Sequence, residues 1–239
     1  MPSVRELSTP YENFMLGPLP GPGVCELCFN LTDGYDRCYA CSKNQLWLDA
    51  FVPISYSVGY EQLHHVLRNY KRLDGEIGRR LCLDVAAVLW RFLDRHETCV
   101  AHKLRTQALD LVTTVPSNGP GMDRLRWIVS TLVRPTAARH LSLLKRRSDS
   151  ISAHQFDPVK FEATASLHGT SILLIDDTWT TGASAQSAAA ALKRAGAKGV
   201  AAVTVGRHLN RGWHENDRRL RALVRPYRWD RCALCASAD

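Results

Sequence analysis

The stretch Ile172-Leu-Leu-Ile-Asp-Asp-Thr-Trp-Thr-Thr-Gly-Ala-Ser184 sets two adjacent carboxylates before four hydroxyls and a glycine. Carboxylates repel phosphate, so Asp176 and Asp177 suit another task. They can accept hydrogen bonds from a sugar diol or from water on Mg²⁺. The residues behind them suit an anion. Thr178, Thr180, Thr181 and Ser184 offer hydroxyls, and Gly182 and Ala183 offer backbone N–H groups where a helix begins. Gly182 also lets the backbone approach a phosphate closely. One ligand carrying a phosphate, a diol and Mg²⁺ would use every one of these groups. The plainer alternative is a strand running into a capped helix, with both acids solvated.

The cysteines form a second chemical group. Six of the eight fall in three Cys-x-x-Cys pairs. In a cytosolic chain, the expected setting, this pattern points to metal rather than disulfides. Cys25-Glu-Leu-Cys28 and Cys38-Tyr-Ala-Cys41 each put two thiolates on a tight turn, and together they complete a tetrahedral zinc shell. One zinc per chain is therefore expected. Cys232-Ala-Leu-Cys235 has no further ligand set nearby in the sequence. It binds a second metal across a homodimer, shares the first, or binds nothing; His208 and His214 are conceivable helpers. Cys82 and Cys99 read as buried, inert thiols.

The formal charge is +8, from 31 basic and 23 acidic residues. Such a balance favours anionic partners, either phosphorylated small molecules or single-stranded nucleic acid. Basic residues cluster at Lys145-Arg146-Arg147 and between Arg218 and Arg231. No run of 18 apolar residues exists, so no membrane span is expected, and the expected location is the cytoplasm.

The elements that position these groups read as α/β. Ile77, Leu81, Val85, Val88 and Phe92 mark one face of a helix from Glu76 to His96. Strands are expected at 111–115, 140–146, 171–175 and 200–205, and short helices at 125–132 and 183–195. The strand–helix–strand order around the phosphate loop implies a parallel sheet buried on both faces. Residues 1–24, with Gly17-Pro-Leu-Pro-Gly-Pro-Gly23, read as an extended arm without helix, and residues 148–167 as irregular.

The stretch 172–184 resembles, position by position, the signature of type I phosphoribosyltransferases that binds 5-phosphoribosyl-1-pyrophosphate (PRPP). The order of parts over residues 25–206 resembles ComF-type members, which are associated with DNA uptake and competence. These parts are the four-cysteine module, Val66-Leu-Arg-Asn-Tyr-Lys-Arg72, Val115-Pro-Ser117 and the loop. The resemblance implies a parallel-sheet phosphoribosyltransferase fold with a small zinc module. It implies PRPP and Mg²⁺ as ligands and a nitrogenous base as acceptor. Asp176 and Asp177 would face the ribose hydroxyls, and Thr178 with Thr180 to Ser184 would hold the 5′-phosphate. By charge, Lys71 and Arg72 would approach the departing pyrophosphate. The expected layout is an arm (1–24), a four-cysteine zinc module (25–50), a phosphoribosyltransferase-like domain (51–225) and a tail (226–239). Three parts depart from the family pattern, one being the absence of a recognisable Glu-Arg-x-x-Asn element near Phe156 to Phe161. Trp179 replaces a smaller residue, and Gly119-Pro-Gly-Met-Asp-Arg-Leu-Arg126 replaces Arg-Gly-Phe-Asn-Gln. The same resemblance admits a second role, nucleic-acid association regulated by PRPP.

Overall fold

A computed structural model describes residues 2–43, 46–117, 121–147, 152 and 154–235. In chain order its elements are α1 (Val4–Ser8), β1 (Leu16–Gly17), α2 (Tyr39–Lys43), β2 (Ala50–Val58), α3 (Gln62–Asn69), α4 (Gly75–Lys103), β3 (Leu111–Thr114), α5 (Arg124–Trp127), α6 (Arg134–Ala137), β4 (Leu144–Arg146), β5 (Phe161–Ala163), β6 (Ser171–Trp179), α7 (Ala183–Arg194), β7 (Gly199–Leu209), α8 (Asn216–Leu223) and β8 (Arg225–Pro226). The fold is α/β around one parallel sheet in the order β2-β7-β6-β3.

The two inner strands are apolar on both faces because both faces are covered. Ile172 to Ile175 and Val200 to Val203 are fully buried. Their register pairs Ile172 with Val200 on one side and with Leu111 on the other. Removing such side chains from water is the main favourable term, at roughly 1.5–3 kcal/mol each. Ala185, Ala188, Ala189 and Leu192 are buried along α7, and the three small alanines let it lie close on β6 and β7. Helix α4 is longer than its sequence pattern suggests, at 29 residues. It buries Cys82, Val85, Leu89, Phe92, His96 and Val100 at spacings of three and four.

Five expectations need correction. Residues 1–24 do contain a helix. Ser3 and Glu6 form a reciprocal capping box, with Glu6 N–H donating to Ser3 Oγ at 3.2 Å and Ser3 N–H to Glu6 Oε2 at 2.6 Å. The arm is tied down by β1, which pairs antiparallel with β8. Of residues 140–146 only Leu144–Arg146 is a strand, and its antiparallel partner Phe161–Ala163 lies inside the stretch read as irregular. Strand β6 does not stop at Ile175 but runs on through both acids to Trp179, because β7 pairs with it all the way to Arg207. The helix expected over 125–132 stays regular only to Trp127 and then widens into a π-turn over Ile128–Leu132. No helix among the described residues is long and apolar enough to cross a membrane.

Gly78 shows how tightly α4 meets the turn after α3. A Cβ there would lie 1.8 Å from the Leu73 carbonyl oxygen, which is backbone and cannot swing away. Gly78→Ala is expected to cost about 1–3 kcal/mol through overpacking. That corresponds to roughly 2–4 °C of melting temperature per kcal/mol in a chain of this size. Gly212→Ala, at an exposed position with only an ordinary contact, is the control. Equal melting of the two variants by differential scanning calorimetry would contradict the packing argument.

Candidate functional site

The carboxyl ends of β6 and β3 open into a cleft of about 410 Å³. Asp176, Asp177, Thr178, Thr180, Thr181, Gly182, Ala183, Ser184 and Lys71 all line it. The fold thus brings the whole sequence-singled loop together with the lysine. Ser117 joins them from the end of β3, while Asn118 lies outside the described residues. Arg72 is exposed and does not line the cleft.

Gly182 is the N-cap of α7 and has φ 80°, a left-handed conformation that favours glycine. A Cβ there would also sit 2.1 Å from Trp179 Cζ2. The Trp179 ring is buried, 4.0 Å from the Phe51 ring centroid to centroid. Trp179 therefore walls the cleft and supports the loop from beneath. Thr181 Oγ1 accepts from Ala183 N–H at 3.3 Å, inside the first turn of the helix. The first N–H groups of α7 have no partner within the helix itself, as at any helix start.

The two acids sit in unequal electrostatic surroundings. Burial pushes Asp176 well above the usual carboxylate range, and the neighbouring Asp177 charge adds to the shift. Burial opposes ionisation of Asp177 as well, but the Lys71 ammonium at 2.8 Å outweighs it and holds that carboxyl below its ordinary value. Asp176 Oδ1 accepts the Asp177 N–H at 2.9 Å. Lys71 is positioned by Arg124, whose guanidinium holds the Tyr70 carbonyl at 2.7 Å, the Leu73 carbonyl and the Asp74 carboxylate. Asp123 caps α5 and also accepts the Ser117 N–H at 3.2 Å, joining β3 to this wall.

Sequence reasoning missed Arg124, Asp123, His154 and Lys160. The first three line the cleft. Lys160 is wholly buried, with Nζ 3.1 Å from Ser184 Oγ and 2.9 Å from the Ser152 carbonyl oxygen. It lends positive charge to the loop from behind. No spacing marks it, since it follows a polar turn just before a three-residue strand.

Cys25, Cys28, Cys38 and Cys41 are all buried, and their sulfurs lie within 4.8 Å of one another. Cys28 and Cys38 are 3.6 Å apart. Tetrahedral zinc with bonds of ~2.3 Å spaces its sulfurs by about 3.8 Å, so this cluster can hold zinc. Hydrogen bonding from Cys28 and the other two sulfurs pulls Cys25 down, while contact with Cys25 and the rest of the cluster pushes Cys41 up. Four thiols this close share negative charge badly, and a divalent cation would resolve the conflict. Cys232, Cys235, His208 and His214 are not part of this cluster.

One buried side chain links the module to the loop. Arg207, on β7 opposite Trp179, donates from Nε to the Cys28 carbonyl at 2.9 Å. Its Nη1 reaches the carbonyls of Thr180 at 3.1 Å and His208 at 2.6 Å, and Nη2 lies 3.8 Å from Cys28 Sγ.

The basic tail is less available than its composition implies. Arg218 pairs with Glu215, Arg219 with Asp33, Arg221 with Asp217 and Arg228 with Asp230. These pairings neutralise much of the cationic patch on which the nucleic-acid reading depends. Comparison with family models, curated proteins and solved structures finds no match to this chain.

Two outcomes follow from this geometry. An acid whose folded pKa is raised loses stability as pH climbs from its unfolded value through the folded one. Desolvation of Asp176 is therefore a cost above its unfolded value that is absent at lower pH. Asp176→Asn is expected to raise the ligand-free melting temperature at pH 7.5, with the gain shrinking as pH falls toward 4. A melting temperature that falls at pH 7.5 would refute the strained-acid assignment. Arg207→Lys is expected to cost about 3–5 kcal/mol, because one ammonium cannot serve the carbonyls of Cys28, Thr180 and His208 together. It should also speed zinc loss to a chelator. Unchanged melting and unchanged zinc release would show that the bridge is dispensable.

Proposed function

We propose that the chain binds PRPP with Mg²⁺ in the cleft at the end of β6 and transfers its phosphoribosyl group to a nitrogenous base. The observation that carries this reading is the convergence of an anion-binding helix start, two acids and Lys71 around one space. Each group has a task that matches part of the ligand. The loop from Thr178 to Ser184 holds the 5′-phosphate through hydroxyls and N–H groups at the start of α7. Lys160, behind Ser184, adds fixed positive charge there. Asp176 and Asp177 accept hydrogen bonds from the ribose hydroxyls. Binding a diol gives the strained Asp176 carboxylate additional donors.

Phosphoribosyl transfer develops a cationic sugar and expels an anion. Stabilising charge is therefore the chief task, and no nucleophilic side chain is required. Lys71 favours the ionised form of Asp177 in the ligand-free protein and would meet the pyrophosphate in the complex. Mg²⁺, held through water on the acids, would neutralise the pyrophosphate as it departs. The cleft lies between the loop and the wall formed by Ser117, Asp123 and Arg124, and the acceptor would enter on that side.

PRPP with Mg²⁺ is expected to raise the melting temperature, since a ligand that binds only the folded state stabilises it. Asp176→Asn with Asp177→Asn should abolish that rise. Thr181→Val should weaken binding about threefold to tenfold, as for one neutral hydrogen bond of roughly 0.5–1.5 kcal/mol. Calorimetry giving equal PRPP affinity for the wild type and the double Asn variant would overturn the reading. Pyrophosphate release from PRPP across a panel of purine and pyrimidine bases tests the transfer step.

A further inference from the structure

Cys232 and Cys235 have no ligand near them in sequence, but the fold supplies two. The tail turns back from β8 and lands on the last turns of α4. There His96 and Cys99 lie three residues apart, one helical turn, on the same face. His96, through one ring nitrogen, and the sulfurs of Cys99, Cys232 and Cys235 fall within 4.8 Å of one another. Cys99 is thus half-buried beside other donors, not the isolated inert thiol the sequence suggests.

The details favour a metal over packed thiols. His96 Nδ1 is 3.9 Å from Cys99 Sγ and 3.9 Å from Cys235 Sγ. Zinc with bonds of ~2.0 Å to nitrogen and ~2.3 Å to sulfur spaces them by about 3.5 Å, a contraction of a few tenths of an ångström. The ring is oriented for the task. Its Nε2 lies 2.9 Å from the Trp229 carbonyl oxygen, which can only accept, so Nε2 carries the hydrogen and Nδ1 faces the sulfurs with its lone pair. A metal-bound histidine almost always donates its other nitrogen in this way. The Cys-x-x-Cys turn is also tied back on its own sulfurs. Cys232 N–H donates to Cys235 Sγ at 3.0 Å, and Cys235 N–H to Cys232 Sγ at 3.4 Å. Backbone donors aimed at sulfur favour the thiolate. His96 and Cys232 are buried, which excludes competing water.

We propose that His96, Cys99, Cys232 and Cys235 form a second structural zinc site. Four protein donors close the shell, so the site has no open position for chemistry. A set of three sulfurs and one nitrogen in tetrahedral array suits zinc over magnesium or calcium, which prefer oxygen. The site staples the tail to α4. The stapled segment carries Tyr227, whose N–H donates to the Met15 carbonyl at 3.2 Å, and Trp229, over which the Arg91 guanidinium sits at 4.2 Å. Zinc there therefore also holds the N-terminal arm. The site stands independently of whatever ligand occupies the cleft.

The test is metal stoichiometry on the full chain purified in reductant. Elemental analysis is expected to give about two zinc per chain, and about one for Cys232→Ser with Cys235→Ser. Cobalt(II) titration of the metal-stripped wild type keeps the proposal testable if that variant folds poorly. Thiolate-to-cobalt absorption should saturate at about two equivalents, with one set of bands of the kind given by three sulfurs and a nitrogen. In the wild type, trypsin should release the tail only after a chelator is added. One zinc per chain after reconstitution would overturn the proposal. So would an unchanged count in the double variant, or a Cys232–Cys235 disulfide in a chain holding a single zinc.

Discussion

The buried guanidinium of Arg207 is the constraint on which the arrangement depends. It sits on the longest strand of the sheet, with Tyr56 paired to it on one side and Trp179 on the other. From there it reaches the backbone of the cysteine module and of the loop after β6 at once. A buried cation is tolerated only when it is fully hydrogen-bonded or paired. Arg207 meets that need with backbone carbonyls and a cysteine sulfur. A zinc centre of four thiolates carries net negative charge, so the metal site would also supply counter-charge to the arginine. The module is thereby part of the scaffold that holds the loop from Trp179 onward. Tyr56 strengthens the same connection, its hydroxyl donating to the Phe29 carbonyl at 2.8 Å.

The cleft inverts the logic of the sheet beneath it. Up to Ile175, strand β6 is apolar and stabilises the fold by burial. Immediately beyond, the same strand carries an acid raised by desolvation and another held ionised by a lysine. Tyr70 lies fully buried beside them, its phenol pushed up by burial and by both acids. Such an arrangement costs stability in the absence of ligand, and perturbed groups gathered in a cleft are a mark of functional sites. Rigidity around it is what allows the cost to be carried. Gly182 locks the loop against Trp179, and Arg124 locks the turn that presents Lys71.

The loop itself was legible in the sequence because its chemistry is contiguous. Acids, hydroxyls and glycine follow one another within a single strand-to-helix turn, so local spacing alone places them together. The parallel sheet was legible for a similar reason, since continuously apolar strands must be covered on both faces. Arg124, Lys160 and Arg207 were not legible, because each acts across a distance of 24 residues or more in the chain. Nothing in their neighbourhood distinguishes them from solvated basic residues. The pairing of β4 with β5 was missed because three-residue strands carry no periodicity. The helix at Val4–Ser8 could have been read from Ser3 and Glu6, a capping box overshadowed by the prolines and glycines that follow it.

The same distinction between local and distant pattern explains the two ends of the chain. Each end has too little apolar surface to fold alone, and each is held by α4 and by the other. The α1 helix packs on α4, and Arg91 of α4 reaches Glu12 at 2.9 Å and Ser8 Oγ at 3.1 Å. Its guanidinium also faces the Trp229 ring in the tail. The arm and tail then close on each other through the β1–β8 pair, with Leu16 opposite Pro226. A two-residue pair of strands is marginal by itself. It persists because the segments on either side are anchored separately, the arm by its capped helix and the tail by the ring contacts and the turn carrying Cys232 and Cys235. Long helix α4 therefore serves the core and the termini together: Val100 and Ala101 of its last turns are buried in the core, while Arg91, His96 and Cys99 face the arm and the tail.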